Sequence, residues 1–149
     1  MDFLENIEWY ITSKPNTATN KTTSFSSLTQ EEFDKVIFDD SSNENIKLCF
    51  PLHNNGYSFS LTREISRPVT LKKLFTFIYK FYQEPLDIEH IEKAFEGNEE
   101  IQDEIIDKYD GDITKIKKYD VFDSCPAPDF CGLSFDEETS EYIVGIGPE

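Results

Sequence analysis

The stretch RPVTLKKLFTFIYKFYQEPL, residues 67–86, limits the possible folds more than any other part of the chain. Leu71, Leu74, Phe75, Ile78, Phe81 and Tyr82 recur at spacings of three, four and seven, which puts them on one stripe of an α-helix. Lys72, Lys73, Thr76 and Lys80 fall on the opposite side. Pro68 keeps the residue before it out of helical geometry, Thr70 is placed to cap the first turn, and Pro85 ends the helix. A helix so apolar along one side must bury that side against a second layer of structure.

The preceding residues supply that layer. NIKLCFPLHNNGYSFSLTREI, residues 45–65, reads as two β-rich runs joined at Asn-Gly, the strongest short hairpin signal. In the second run Tyr57, Phe59 and Leu61 alternate with Ser58, Ser60 and Thr62, so one face is apolar and the other wet. GLSFDEETSEYIVGIG, residues 132–147, reads as two more short strands around a polar turn. Upstream, SLTQEEF (27–33) opens a short helix, with Thr29 and Glu32 spaced as a capping box and Leu28 and Phe33 as its hydrophobic staple. That helix is expected to end near FDDSSNEN (38–45). Residues 86–119 read as short acidic helices. In one, Asp87 caps a segment carrying Ile88, Ile91 and Phe95 that stops at Gly97; another is marked by Ile101, Ile105 and Ile106. The expected class is α+β: a small antiparallel sheet of hairpins packed on a long amphipathic helix, plus short acidic helices. A hairpin running directly into a helix also opens the β-grasp fold, which is the topological alternative.

At 149 residues the chain has the length of one domain. Two parts are expected: residues 1–28 as an apolar segment and tether, and residues 29–149 as the α+β domain. Phe3, Leu4, Ile7, Tyr10 and Ile11 have helical spacing with Trp9 nearby, and TSKPNTATNKTTSFSS (12–27) has the Ser/Thr/Asn content of a flexible linker. Such a segment is either a strap over the domain or a docking peptide with Phe3, Leu4, Ile7 and Trp9 as anchors. The first residues are acidic where a secretory signal is basic, and no run reaches the length of a membrane span. Three cysteines cannot all pair internally, so a reducing, cytoplasmic setting is expected, and the Asn20-Lys21-Thr22 glycosylation pattern carries no weight there.

The net charge of −16, from 30 acidic and 14 basic residues, opposes binding to bare nucleic acid. The charge is uneven. Arg63, Arg67, Lys72, Lys73 and Lys80 put five basic residues within 18 positions, whereas residues 84–112 hold 12 acids and only Lys93 and Lys108 as bases. The two regions could neutralise each other, or the basic one could dock a partner by complementary charge. Alternatively, the acidic region could mimic nucleic acid toward a basic protein.

Candidate chemistry is sparse. Cys49, His53, Cys125 and Cys131 form one possible Cys₃His zinc set, but without the tight two-to-four-residue knuckles that structural zinc favours. DSCPAPDFCG (123–132) reads as a loop stiffened by Pro126 and Pro128, with Cys131 tucked beside Phe130. A catalytic thiol there would need a nearby histidine to lower its pKa. DKYDGD (107–112) fails as a calcium loop: with Gly111 sixth, position one is Ile106, position three Lys108 and position twelve Lys117. There is no phosphate-binding glycine loop, nucleophile elbow or HExxH pair. No cofactor is expected, and the balance leans away from an enzyme, with a small cysteine-dependent or zinc-binding protein as the remaining alternative.

Abundant Ile, Lys, Phe, Tyr, Asp and Asn with little Ala and Gly resembles proteins of AT-rich genomes. RPVTLKKLFTFIYKFYQEPLD and FCGLSFDEETSEYIVGIG, about 40 residues together, resemble uncharacterised small proteins of amoeba-infecting giant DNA viruses. The resemblance implies a setting, the infected-cell cytoplasm or the virion, and implies no site residue. The expected function is protein–protein interaction, as an adaptor with a protein partner and without direct nucleic-acid or membrane contact. Its candidate contacts are Phe3, Leu4, Ile7 and Trp9 on the N-terminal segment and Arg63, Arg67, Lys72, Lys73 and Lys80 on the basic helix side.

Overall fold

A computed structural model describes residues 2–54, 57–86, 99–122 and 128–147. In chain order its helices and strands are α1 (Asp2–Glu5), β1 (Ile7–Glu8), β2 (Thr19–Asn20), β3 (Ser26–Ser27), α2 (Gln30–Phe33), β4 (Val36–Phe38), β5 (Ile46–Asn54), β6 (Tyr57–Ile65), β7 (Val69–Thr70), α3 (Leu71–Gln83), α4 (Glu99–Lys108), β8 (Phe130–Asp136) and β9 (Glu141–Ile146). Short 3₁₀ turns lie at Pro15–Thr17, Lys21–Thr23, Ile113–Lys115 and Lys118–Phe122. The fold is α+β.

Ile46, Leu48, Phe50 and Leu52 alternate along β5 and are all buried, which commits one face of that strand to the core. β5 pairs antiparallel with β6 in an unbroken register from Ile46↔Ile65 to Asn54↔Tyr57. β8 and β9 form the second antiparallel hairpin. The hairpins join through a parallel pair, Leu48↔Tyr142 and Cys49↔Ile143, so the four-stranded sheet runs β6-β5-β9-β8 and is mixed at its centre. Two antiparallel hairpins on either side of a helix, with first and last strands parallel in the middle, is the strand arrangement of a β-grasp. Between Phe130 and Leu133 the register shifts, and Gly132 takes a φ of +97°, a backbone region L side chains rarely adopt.

Helix α3 lies across the apolar face of this sheet. All six members of the stripe, Leu71, Leu74, Phe75, Ile78, Phe81 and Tyr82, are buried. Phe81 stacks on Phe50 at 4.0 Å between ring centroids, and Tyr82 meets Phe50 edge-on at 5.9 Å. The Tyr82 hydroxyl donates to the Pro51 carbonyl at 2.9 Å, satisfying its polar end inside the core. Burial pushes the Tyr82 hydroxyl well above the ordinary tyrosine pKa. The Thr70 hydroxyl caps the helix by accepting from the Lys73 N–H at 3.2 Å.

The N-terminal segment differs from its expected form. Its helix stops at Glu5, and the chain then extends. Ile7, Trp9 and Ile11 are buried at the two-residue period of a strand, a pattern that coexists in the sequence with the helical one. The Phe130 N–H donates to the Trp9 carbonyl and the Ile11 N–H to the Pro128 carbonyl, so this segment pairs with the start of β8. Trp9 stacks on Phe75 at 4.4 Å, Phe130 meets Phe75 edge-on at 5.1 Å, and the Trp9 indole donates to the Ser13 carbonyl. The tether is packed as well: Ala18, Asn20 and Leu28 are buried, so no break in packing falls at residue 28.

The capping box is present in full, Thr29 Oγ1 accepting from the Glu32 N–H and Glu32 Oε1 from the Thr29 N–H. Its helix α2 is a single turn rather than reaching residue 38, because Val36–Phe38 extend to pair with β7 as a second small sheet. Of the acidic helices, α4 is described; the segment expected from Asp87 to Gly97 lies outside the described residues. Among the described residues no helix is long and apolar enough to cross a membrane.

Candidate functional site

The nine anchor and basic residues nominated from the sequence separate into three groups. Leu4, Ile7 and Trp9 are each about 1% exposed and belong to the core, so they are not docking anchors; the aromatic and aliphatic partners described above already cover them. Phe3 is half-buried against the core under the Lys35 ammonium, 4.1 Å from its ring centroid.

A second group consists of cations occupied in holding loops. Arg67 donates through Nε to the Glu44 carbonyl and through Nη1 to the Asp39 carbonyl, fastening the 39–44 loop. Lys73 Nζ donates to the Ser66 and Pro68 carbonyls at 2.6 and 3.2 Å, closing the turn that leads into α3. Arg63 pairs with Glu84 at 3.6 Å and lies over the Phe81 ring. Each of these charges has a structural partner.

Lys72 and Lys80 are different. Both are exposed, and among the described residues neither ammonium makes a hydrogen bond or ion pair. With half-buried Thr76 they form a ridge along the outward side of α3, one residue every helical turn. A groove runs along each flank. One, of about 400 Å³, is lined by Thr70, Lys72, Lys73, Thr76, Phe77 and Lys80. The other, of about 510 Å³, lies between α3, α2 and the Pro15–Thr17 turn, and adds Lys14, Pro15, Asn16, Gln30, Phe33 and Tyr79 to the ridge residues. Phe33, Phe77 and Tyr79 are half-buried against the core and supply apolar wall. Lys14, also exposed and without a side-chain partner among the described residues, adds a third unengaged cation. None of the described lining residues is acidic, on a chain with 30 acidic residues.

Residues 12–27 gave no sign of Lys14's position, since it enters the groove only because the N-terminal segment folds back onto α3. Tyr79 was readable: it follows Lys72 by seven and Thr76 by three, which sets an aromatic ring on the polar side of the helix.

The other charged cluster sits at the far end of α3. Buried Lys118 donates to Glu84 Oε1 at 2.8 Å and to the Pro85 carbonyl. Buried Asp120 accepts from Lys108 at 3.1 Å, from the Tyr109 hydroxyl at 2.7 Å and from the Lys117 N–H at 2.8 Å. Burial, then the bond to Asp120, raises the Tyr109 hydroxyl far above its ordinary pKa. Its members partner one another, and together they fasten residues 108–120 to the end of α3.

The possible metal set is not assembled by the described residues. Cys49 is half-buried on β5, Cys131 is exposed on β8 with β9 between them, and Cys125 and the His53 side chain lie outside the described residues. Cys131 is therefore not tucked beside Phe130; its side chain points outward from the bulged strand while Phe130 is buried. Comparison with protein-family models, curated proteins and solved structures finds no match to this chain.

Proposed function

We propose that this is a non-enzymatic docking protein, which holds a protein partner through the outward side of α3. The observation that carries the reading is the contrast in cation use: Arg67 and Lys73 hold loops, whereas Lys14, Lys72 and Lys80 gather around two aromatic-walled grooves without protein partners among the described residues. Within about 8 Å, the Debye length at physiological salt, such a local cluster outweighs distant charge, so the face attracts acidic surface despite the net −16. Complementary charge would set orientation and on-rate, and the aromatic walls would supply contact energy. The cytoplasm of an infected cell, or the virion, is the setting we assign to this binding, and its support is the resemblance described above.

The test is capture from the native cell with the intact protein beside its Lys72→Glu/Lys80→Glu variant, at about 0.1 M and about 1 M salt, where the Debye length falls from ~10 to ~3 Å. A partner held by the unaltered protein at low salt, and lost with either the double reversal or high salt, is the expected result. Equal capture by both proteins would place docking elsewhere and end the proposal. Docking through an acidic, nucleic-acid-like surface would give that second result together with a steep salt response.

A further inference from the structure

Resting on that docking reading, we infer the form of the occupant: an extended acidic peptide segment with two carboxylates four residues apart and an apolar side chain midway between them. Lys72 and Lys80 are eight residues apart on one helix, hence about 12 Å along its axis at 1.5 Å per residue. An extended chain advances about 3.3 Å per residue, so its positions i and i+4 lie about 13 Å apart. Positions i, i+2 and i+4 also point to the same side, because side chains alternate. An acid–x–apolar–x–acid segment laid along α3 therefore brings one carboxylate to each lysine and lowers the central side chain between them. That side chain comes down at Thr76, beside the apolar wall made by Phe33 and Tyr79, and Lys14 lines the same groove as a third cation.

In a helix, residues four apart rise only about 6 Å, so carboxylates at that interval would span half the distance between Lys72 and Lys80. Lysine is a flexible point charge, so the ridge selects acidic spacing and leaves the identity of Asp or Glu open.

Labelled nine-residue peptides binding the intact protein provide the test. One carries Glu-Ser-Phe-Ser-Glu in a neutral frame, a second has the same composition with its two glutamates adjacent, and a third replaces the peptide phenylalanine with alanine. The first should bind, and the adjacent-acid peptide should bind about threefold to fivefold more weakly, the worth of one exposed ion pair. The alanine peptide should lose about tenfold, as for a buried aromatic anchor. Lys72→Glu/Lys80→Glu should abolish binding of all three. Changing the peptides leaves the protein's folding untouched, so a loss there cannot be a folding defect. Equal binding of the three peptides, still removed by the double reversal, would overturn the spacing and anchor while leaving charge-driven docking in place. Binding of the first peptide that survives the double reversal would overturn both, and no binding of that peptide would overturn the present inference alone.

Discussion

Helix α3 presents two sides with opposite relations to the rest of the chain. Inward, its six stripe residues are at most 2% exposed and meet β5, the Trp9 segment and Phe130. Outward, Lys72 and Lys80 stand exposed beside aromatic-walled grooves, without partners among the described residues. The inward side is accounted for by folding: remove a member and a cavity opens. Folding makes no comparable demand for two exposed lysines without partners among the described residues, and Lys73, one position along, shows what a cation engaged by the fold looks like. The difference separates residues selected by packing from residues free for binding.

The contrast breaks most readily from the inside. Trp9→Ala should lower unfolding free energy by about 3–5 kcal/mol in chemical denaturation, the cost of deleting a buried aromatic that stacks on Phe75. A cost below about 1 kcal/mol would mean that the N-terminal segment is a detachable peptide rather than core. Ile78→Ala, at the centre of the stripe, should cost about 2–5 kcal/mol by the same measurement, and a near-zero cost would remove α3 from the core.

Smaller effects sharpen the boundary between the two sides. Thr70→Ala deletes the cap of α3 and should cost about 1 kcal/mol, without changing the side the helix presents. The Glu32 carboxylate is held below its ordinary pKa, first by the Thr29 N–H and then by the Asn20 amide. A lowered folded-state pKa means stability that is full above the ordinary carboxylate range and is lost as pH falls through the lowered value. Glu32→Gln should therefore be less stable than the unaltered protein near neutrality, with the gap closing on acidification. A gap independent of pH would assign the loss to packing instead.

Much of the inward side could be read in advance, because a helix stripe, a strand alternation and a capping box are local patterns. Leu71 to Tyr82, Leu28–Phe33 and the 45–65 hairpin all have that character. The N-terminal segment was harder: Leu4, Ile7 and Ile11 fit a helix while Ile7, Trp9 and Ile11 fit a strand, and tertiary pairing with β8 chose the second. The parallel join of β5 to β9 links residues over ninety positions apart and leaves no local mark. The groove was legible only in part. Lys72, Lys80 and Tyr79 share a helix, whereas Lys14 and Phe33 reach it from segments that meet α3 only in the folded chain.

The central claim is that the outward side of α3 serves binding and not folding, and the Lys72→Glu/Lys80→Glu protein tests it in one sample. Its denaturation midpoint and partner capture should be measured beside those of the unaltered chain. The account predicts a stability change within about 0.5 kcal/mol, as for exposed surface positions, together with loss of the partner. A double variant that unfolds, or one that keeps both stability and partner, would contradict it.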